Sequence, residues 1–322
     1  MLSRVAESVY WLSRYIERAE NVARCIDVHL SLTLDLGQEW ADQWAPLVYT
    51  TGGHELFEKL YGAPTRENVL KFLTFDIDNP NSIMSCVMKA RQSARTVRES
   101  LSLAVWEELN RFYLQMRERK ALGDPEQAVY NEVKRASQLL IGVGDTTQSH
   151  TEVWHFSRLG RLLERADQTS RILDVKYFLL LPTLTDVGTS LDITQWSALL
   201  RSASALGMYR QEHHRIVPVR VVEFLVLDRD FPRSMRFCVS RAENSLHRIT
   251  GTAADVFSTR AEQELGRVRA DLEFTSADEI IRDGMHEFID DFQTRLNRVG
   301  AAISDSFFAA QDDLPAAQSQ SQ

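Results

Sequence analysis

The sequence is organised around the stretch Trp11–Val28, WLSRYIERAENVARCIDV, which returns once as Gly160–Val175, GRLLERADQTSRILDV. Both copies contain Glu-Arg-Ala-acid, then an arginine four residues after the acid, then Asp-Val. The matched residues are Arg14/Arg161, Glu17/Glu164, Arg18/Arg165, Ala19/Ala166, Glu20/Asp167, Arg24/Arg171, Asp27/Asp174 and Val28/Val175. Because the order of charges is kept at an offset of 147 residues, the repeat indicates two equivalent half-bundles.

Each copy reads as an amphipathic helix at about 100° per residue. The apolar stripe of the first copy consists of Val5, Val9, Leu12, Ile16, Ala19, Ala23, Ile26 and Leu30. One edge of that stripe is polar in both copies, with Ser13, Glu17, Glu20, Arg24 and Asp27 in the first and Gly160, Glu164, Asp167, Arg171 and Asp174 in the second. We expect the two edges to be half buried, either as a structural ion-pair network or as a functional site.

Composition limits the function classes. The chain has 322 residues, 44% of them hydrophobic, which suffices for a sizeable core. A net charge of −8 argues against nucleic acid or an anionic membrane as the main partner. The three cysteines lack metal or redox spacing, and the apolar runs are too short to span a bilayer. We therefore expect a cytoplasmic protein with free, buried thiols.

The rest of the chain predicts an all-α bundle of eight to twelve helices without a sheet, because no stretch alternates with period two. The expected halves are about 1–145 and 146–310, followed by a disordered tail at 311–322. Predicted elements include a long helix from Ser82 to about Lys120, a helix ending near Ile141 and a loop at 181–190. Asp192 with Gln195 predicts a capping box that opens another helix. A second box at Ser276 and Glu279 predicts a final helix to about Ile303.

The predicted long helix carries Arg91, Arg95 and Arg98 at i, i+4 and i+7, which places them on one face. Such a basic ridge either neutralises the acidic edges or holds a phosphate or carboxylate ligand.

Motifs of common enzyme classes are absent from the sequence. It contains no GxxxxGK[ST], GxGxxG or GxSxG, and no Cys/His cluster with zinc spacing.

One di-iron half-motif, Glu152 and His155, lacks its second copy because Ser8 stands at the equivalent position. The carboxylates Glu17, Glu20, Glu164 and Asp167 leave a Mg²⁺ or Mn²⁺ site open as an alternative, although the intervening arginines disfavour it. We therefore predict no metal and no cofactor, and a polar groove suited to an amino acid or a peptide end.

Several segments resemble the bacterial alpha-E domain family over roughly residues 2 to 305. The segments are LSRVAESVYWLSRYIERAEN at 2–21, ARTVRE at 94–99 with Trp106-Glu107, the second copy from Gly160 to Arg171, Leu181-Pro182, Gln195-Trp196 and FPRS at 231–234. Gln92-Ser93 departs from the Glu-Asn expected there.

The resemblance implies an all-helical protein often encoded beside a circularly permuted ATP-grasp ligase and a transglutaminase-like peptidase. It implies ATP-dependent peptide or amide-bond formation as the setting, with those two proteins as partners. The candidate catalytic residues on this basis are Glu17, Glu20, Glu99, Glu164 and Asp167, and the candidate ligand-binding residues are Arg14, Arg24, Arg95, Arg98 and Arg171.

Three functions are compatible with the sequence. The first is a non-catalytic partner or substrate-presenting component of an ATP-grasp-type system, because no nucleotide motif and no nucleophile–base pair is present. The second is an enzyme that acts on peptides or amino acids through the acid–arginine groove, with or without a metal. The third is a purely structural helical scaffold. The sequence leaves open whether the protein is an enzyme.

Overall fold

The computed structural model describes residues 1–36, 44–123, 126–179, 189–254 and 256–309. Within these ranges the chain forms fifteen α-helices and no strand. The helices are α1 Ser3–Leu36, α2 Ala45–Thr50, α3 His54–Tyr61, α4 Arg66–Thr74, α5 Ile83–Thr96, α6 Leu103–Leu122, α7 Gln127–Thr147, α8 Glu152–Leu179, α9 Ser190–Ser202, α10 Leu206–Glu212, α11 Pro218–Val222, α12 Met235–Thr250, α13 Arg260–Phe274, α14 Ala277–Asp283 and α15 Met285–Ile303. One 3₁₀ turn, Arg98–Ser100, and two π-helical turns, Glu223–Leu227 and Ser304–Phe308, complete the secondary structure.

The all-α prediction is confirmed, and the two copies of the repeat are the two longest helices, α1 and α8. Two sequence predictions fall outside the described residues: most of the loop at 181–190 and the tail at 311–322. The number of helices exceeds the predicted eight to twelve because several stretches divide at internal caps.

The predicted helix from Ser82 to Lys120 is wrong, because the chain breaks between α5 and α6. Ser102 ends the break: its side chain caps α6 by accepting a hydrogen bond from the backbone N–H of Val105. The side chain of Gln148 stabilises the same break through two hydrogen bonds to its backbone. It accepts from Ser102 N–H at 2.8 Å and donates to Ser100 O at 3.0 Å. Arg98 lies in the break, so the three arginines do not share one helical face.

Three other boundaries differ from the predictions. Helix α7 continues through Gly142 and Gly144 to Thr147, so the predicted turn is helical. Thr189, rather than Asp192, caps α9 and accepts from the backbone N–H of Asp192. The box at Ser276 and Glu279 is confirmed, but Gly284, at φ 112°, separates α14 from α15. Helix α13 was not predicted at all.

Helices α1 and α8 lie side by side at the centre of the bundle. Helices α5 and α7 pack on α1, while α12 and α15 pack on α8. One apolar cluster is formed by buried residues between Leu12 and Leu140, and the other by residues between Phe156 and Ile303 together with Ala6, Val9, Tyr10 and Val97. This division of the core lies near the repeat boundary, and the assignment of two halves stays a prediction.

The two central helices approach each other closely at Gly160. A Cβ atom at this position would lie 2.3 Å from the backbone oxygen of Tyr10, far inside van der Waals contact. Only glycine therefore allows this spacing. Ser13 and Ser157 share a hydrogen bond of 2.6 Å beside the same crossing.

Candidate functional site

Glu17 of α1 points into the interface with α8 and is fully buried. Arg165 of α8 binds it bidentately, with Nε donating to Oε1 and Nη2 to Oε2, each at 2.8 Å. Arg233, from the segment before α12, donates to Oε1 at 3.2 Å, and Asn21 Nδ2 donates to the same oxygen at 3.3 Å. Both oxygens of this carboxylate are thus taken up by protein donors.

Glu164 of α8 has the mirrored arrangement and is also fully buried. Arg18 of α1 binds it bidentately, with Nε to Oε1 at 2.7 Å and Nη2 to Oε2 at 2.9 Å. Arg14 donates to Oε2 at 2.8 Å, and Gln168, the repeat counterpart of Asn21, donates to Oε1 at 3.0 Å. The repeat therefore builds two crossed Glu–Arg pairs between the central helices, which we call the crossed pairs.

The crossed pairs fix the ionisation of both glutamates. Burial alone would raise the pKa of Glu17, but the charges of Arg165 and Arg233 outweigh it and hold this pKa well below its ordinary value. Burial opposes ionisation of Glu164 too, and Arg18 and Arg14 likewise lower its pKa. Because a general acid or base works best with a pKa near the operating pH, neither carboxylate suits proton transfer at neutral pH.

The next acids along the two helices differ in their burial. Glu20 is fully buried and accepts from Arg24 on its own helix, from Arg233 Nη2 at 2.7 Å and from Ser137 Oγ at 2.8 Å. Asp167, its counterpart, binds Arg171 Nε at 2.9 Å in the i,i+4 geometry. The predicted pairs of Glu20 with Arg24 and of Asp167 with Arg171 are both present.

The ends of the two polar edges contact the outer helices. Asp27 accepts from Lys134 Nζ at 2.6 Å and from Gln127 at 3.0 Å, both on α7. Its counterpart Asp174 lies 2.7 Å from Nδ1 of His286 on α15. The repeat thus places one basic partner from a neighbouring helix at each of these equivalent sites.

Of the ten predicted site residues, seven lie on the two central helices, and the structure brings them together there: Arg14, Glu17, Glu20, Arg24, Glu164, Asp167 and Arg171. The other three do not join them. Glu99, Arg95 and Arg98 lie on the exposed side around the end of α5, and Arg98 stacks on Trp106 with its Cζ 5.2 Å from the ring centroid. The interpretation of the basic ridge as a neutralising partner of the acidic edges is therefore wrong.

The sequence interpretation missed four residues that complete the network: Arg18, Arg165, Asn81 and Arg233. Asn81 accepts a hydrogen bond from Arg18 Nη1 at 2.9 Å. It stands to the Glu164–Arg18 pair as the segment around Arg233 stands to the Glu17–Arg165 pair. A second, weaker repeat marks these positions at an offset of 152 residues. It pairs Pro80, Ser82, Cys86, Val87, Ala90 and Ser93 with Pro232, Ser234, Cys238, Val239, Ala242 and Ser245. Ser82 and Ser234 cap α5 and α12 in the same way.

The geometry does not favour the alternative of a Mg²⁺ or Mn²⁺ site. Every oxygen of Glu17 and Glu164 accepts from at least one arginine, so neither carboxylate has an oxygen free for a metal. Within the residues that the structure describes, no three His, Cys, Asp or Glu side chains are grouped so that they could hold a metal. The described helices also include none that is long and apolar enough to cross a membrane.

A cavity of about 70 Å³ lies beside the Glu17 pair, between α1, α7 and the start of α8. Its polar wall includes Ser13, Ser157, Arg158 and Arg161. Arg161 is the repeat counterpart of Arg14, yet its buried Nε has no hydrogen-bond partner. At this cavity, Arg161 can therefore donate a hydrogen bond to a bound molecule.

Comparison with known proteins gives a family match and distant relatives. The sequence model of the Alpha-E family, described as a predicted alpha-helical domain with a conserved ER motif, matches residues 1–308. The Glu-Arg steps at 17–18 and 164–165 supply the four residues of the crossed pairs.

The chain is 22% identical over 339 aligned positions to the uncharacterized protein Mb2597 of Mycobacterium bovis and, equally, to the uncharacterized protein Rv2567 of Mycobacterium tuberculosis. These alignments cover 97% of this chain but only 37% of either relative, so the chain spans little more than a third of their length. No solved structure matches the chain.

Proposed function

The chain belongs to the Alpha-E family, and from that premise we propose that it is a non-catalytic partner or substrate-presenting component of an ATP-grasp-type system that forms peptide or amide bonds. The ligase and a transglutaminase-like protein are the partners proposed from the resemblance of the sequence. The bound substrate in this proposal is a peptide or an amino acid.

The observation that carries the proposal is the state of the crossed pairs. Glu17 and Glu164 are fully buried, ionised and saturated by arginine donors. A carboxylate in that state supplies neither a proton nor a nucleophilic oxygen to a substrate. The charges that looked like reactive groups in the sequence therefore join two helices, which favours a rigid module over an enzyme that uses the acid–arginine groove.

The lengths of the relatives support a module as well. In the two mycobacterial proteins the matched region makes up 37% of the chain, so there the domain is covalently joined to other sequence. The crossed pairs suit a purely structural scaffold as well, and the cavity beside Arg161 is the observation that favours a binding component over it.

Reconstitution tests the proposal. The purified protein, the ATP-grasp ligase of the same organism and a mixture of both are incubated with ATP and short peptides, and ADP release and peptide mass are followed. We expect no product from the protein alone and at least tenfold more product from the mixture than from the ligase alone.

Two results would overturn the proposal. Turnover of a peptide by the purified protein alone would make it an enzyme, and a ligase rate unchanged by the protein would remove the partnership. Glu17→Gln/Glu164→Gln serves as the matched variant. If it is folded and supports the ligase fully, the acidic groups take no part in the chemistry.

A further inference from the structure

The cavity beside the Glu17 pair combines a polar wall with an apolar one. The polar part of its lining includes Ser13, Ser157 and Arg161, and the apolar part includes Leu12, Val105 and Leu140. Its volume of about 70 Å³ has room for a few water molecules. A ligand would therefore place a single end group here with a short aliphatic stem.

Arg161 is the unusual residue of this wall. Its Nε is buried without a partner, and the guanidinium forms no hydrogen bond or ion pair with any described residue. Leaving a buried donor unsatisfied destabilises the fold, and more so when the group is charged. The side chain as a whole is half-buried, so a ligand or water in the cavity can accept hydrogen bonds from it.

The repeat explains why this arginine is free. Its counterpart Arg14 binds Glu164, because the residue that stands opposite in the first half, Asn81, carries no charge. In the second half that position holds Arg233, which donates to Glu17 and to Glu20. Since Arg165 and Arg233 already saturate Glu17, neither oxygen of this carboxylate is left for Arg161.

The mirrored cavity provides an internal comparison. It lies on the other side of the central helices and is lined by Tyr10, Arg14, Asp167 and Phe308 among others. Arg14 is satisfied there by Glu164 and by the hydroxyl of Tyr10 at 3.2 Å. The unpaired guanidinium thus lies in the cavity of about 70 Å³, whereas the arginine of the larger mirrored cavity, of about 300 Å³, is paired.

The charges around Arg161 favour an anion of low charge. From α8, Arg158 adds a second cation at the wall, stacked on Trp154 at 5.2 Å and without an ion pair among the described residues. From α1 and α7 come the negative charges of Glu17 and of the exposed Asp145. Burial and the neighbouring arginines lower the pKa of Arg161 to about 10, which keeps it charged at neutral pH.

We propose that this cavity binds one carboxylate, with Arg161 as its counter-ion and as the donor of two parallel hydrogen bonds to it. A planar guanidinium pairs bidentately with a carboxylate, the serine hydroxyls lie at the same wall, and the apolar wall receives the adjoining carbons. A phosphate dianion suits the site less, because Glu17 and Asp145 face it. That the carboxylate belongs to a peptide rests on the proposed function, whereas the binding of a carboxylate does not.

The test uses the purified full-length protein at pH 7 and measures its melting temperature. The probes are acetate, N-acetylalanine with a free α-carboxylate, and N-acetylglutamate amide with a side-chain carboxylate only. Sodium chloride at equal ionic strength and neutral N-acetylalaninamide are the controls. Comparison of the two amino-acid probes distinguishes a chain terminus from an acidic side chain as the source of the group.

We expect the carboxylates to raise the melting temperature by about 2 °C near saturation and the neutral amide to leave it unchanged. Arg161→Met should remove this response and should melt in chloride at the wild-type temperature or higher, because an unpaired buried charge is lost. Arg161→Lys should respond more weakly, since lysine lacks the two parallel donors. Arg117→Met, an exposed arginine on α6, is the matched control and should respond like the wild type.

Three outcomes would overturn the proposal. One is an equal carboxylate response in Arg161→Met, and another is a larger response to inorganic phosphate than to acetate. The third is a lower melting temperature of Arg161→Met in chloride, which would mean that the side chain stabilises the fold by itself. All measurements use this protein alone, so they stand apart from the result with the ligase.

Discussion

Glu17 and Arg165 are 148 residues apart in the chain and meet through two hydrogen bonds of 2.8 Å across the interface of α1 and α8. Their repeat counterparts Glu164 and Arg18 meet 146 residues apart in the same way, at 2.7 and 2.9 Å. In each copy of the repeat, the glutamate of the Glu-Arg dipeptide thus binds the arginine of the other copy. The repeat is recognisable in the sequence because the two copies bind each other.

Breaking one crossed pair should be costly. Glu17→Gln leaves the largely buried Arg165 without a negative partner and Arg233 with Glu20 alone, and we expect a loss of about 3 kcal/mol in the free energy of unfolding. Urea unfolding followed by circular dichroism measures it. Glu99→Gln, an exposed carboxylate, is the control and should change stability by less than about 0.5 kcal/mol. Equal effects of the two variants would contradict the prediction.

Glu20 and Asp167 occupy equivalent positions but should differ in importance. Glu20→Ala leaves the buried Arg24 without its carboxylate and removes one of the two carboxylates that bind Arg233, so we expect a loss of a few kcal/mol. Asp167→Ala frees only Arg171, whose side chain is 29% exposed, and should cost about 1 kcal/mol or less. The two variants are compared by thermal melting, and a larger loss for Asp167→Ala would refute this ranking.

Gly160 should not tolerate a side chain. In Gly160→Ala the new methyl group would lie against the backbone of Tyr10, and separating the central helices should cost about 1–3 kcal/mol. Gly142→Ala is the matched control, because that glycine is helical and exposed with nothing near its Cβ direction. There alanine should stabilise α7 by up to about 1 kcal/mol. The opposite signs of the two changes in melting temperature make this test decisive.

Acid should weaken the protein through the crossed pairs. The pKa values of Glu17 and Glu164 are lowered from 4.5 to about 2 in the folded state. The unfolded chain therefore binds these protons first, so the stabilisation is complete above about pH 4.5 and is lost as the pH falls toward 2. Melting temperatures measured from pH 7 to pH 3 should fall mainly in the acidic part of this range.

The Glu17→Gln/Glu164→Gln variant provides the control for acid unfolding, because neither position can bind a proton there. Its melting temperature should start lower at pH 7 and decline less steeply below pH 4.5 than that of the wild type. If the two slopes are equal, other carboxylates account for the acid sensitivity.

The sequence predicted the helices and the location of the charged network, because both depend on local patterns. The apolar stripe and the repeat identified α1 and α8, and the i,i+4 spacing identified the pairs of Glu20 with Arg24 and of Asp167 with Arg171. Boundaries were wrong where tertiary contacts outweigh local preference. Helix α7 continues through Gly142 and Gly144, although glycine disfavours a helix.

The main partners of Glu17 and Glu164 could not be predicted from one helix at a time. Arg18 and Arg165 bind across the interface, and Arg233 comes from a segment that is remote in sequence. The second repeat, from Pro80 and from Pro232, could have indicated this segment. It is weaker because it preserves caps and small residues rather than a run of charges.

The dependence of α1 on distant arginines has a consequence for synthesis on the ribosome. Residues up to Leu140 supply a buried apolar cluster of their own, so the first part of the nascent chain can begin to condense early. Glu17 and Glu20 nevertheless lack Arg165 and Arg233 until nearly three quarters of the chain has been made. A polypeptide that terminates before Arg233 therefore lacks the arginine that binds both Glu17 and Glu20. Its first helix keeps incompletely paired carboxylates, unlike that of the longer chain.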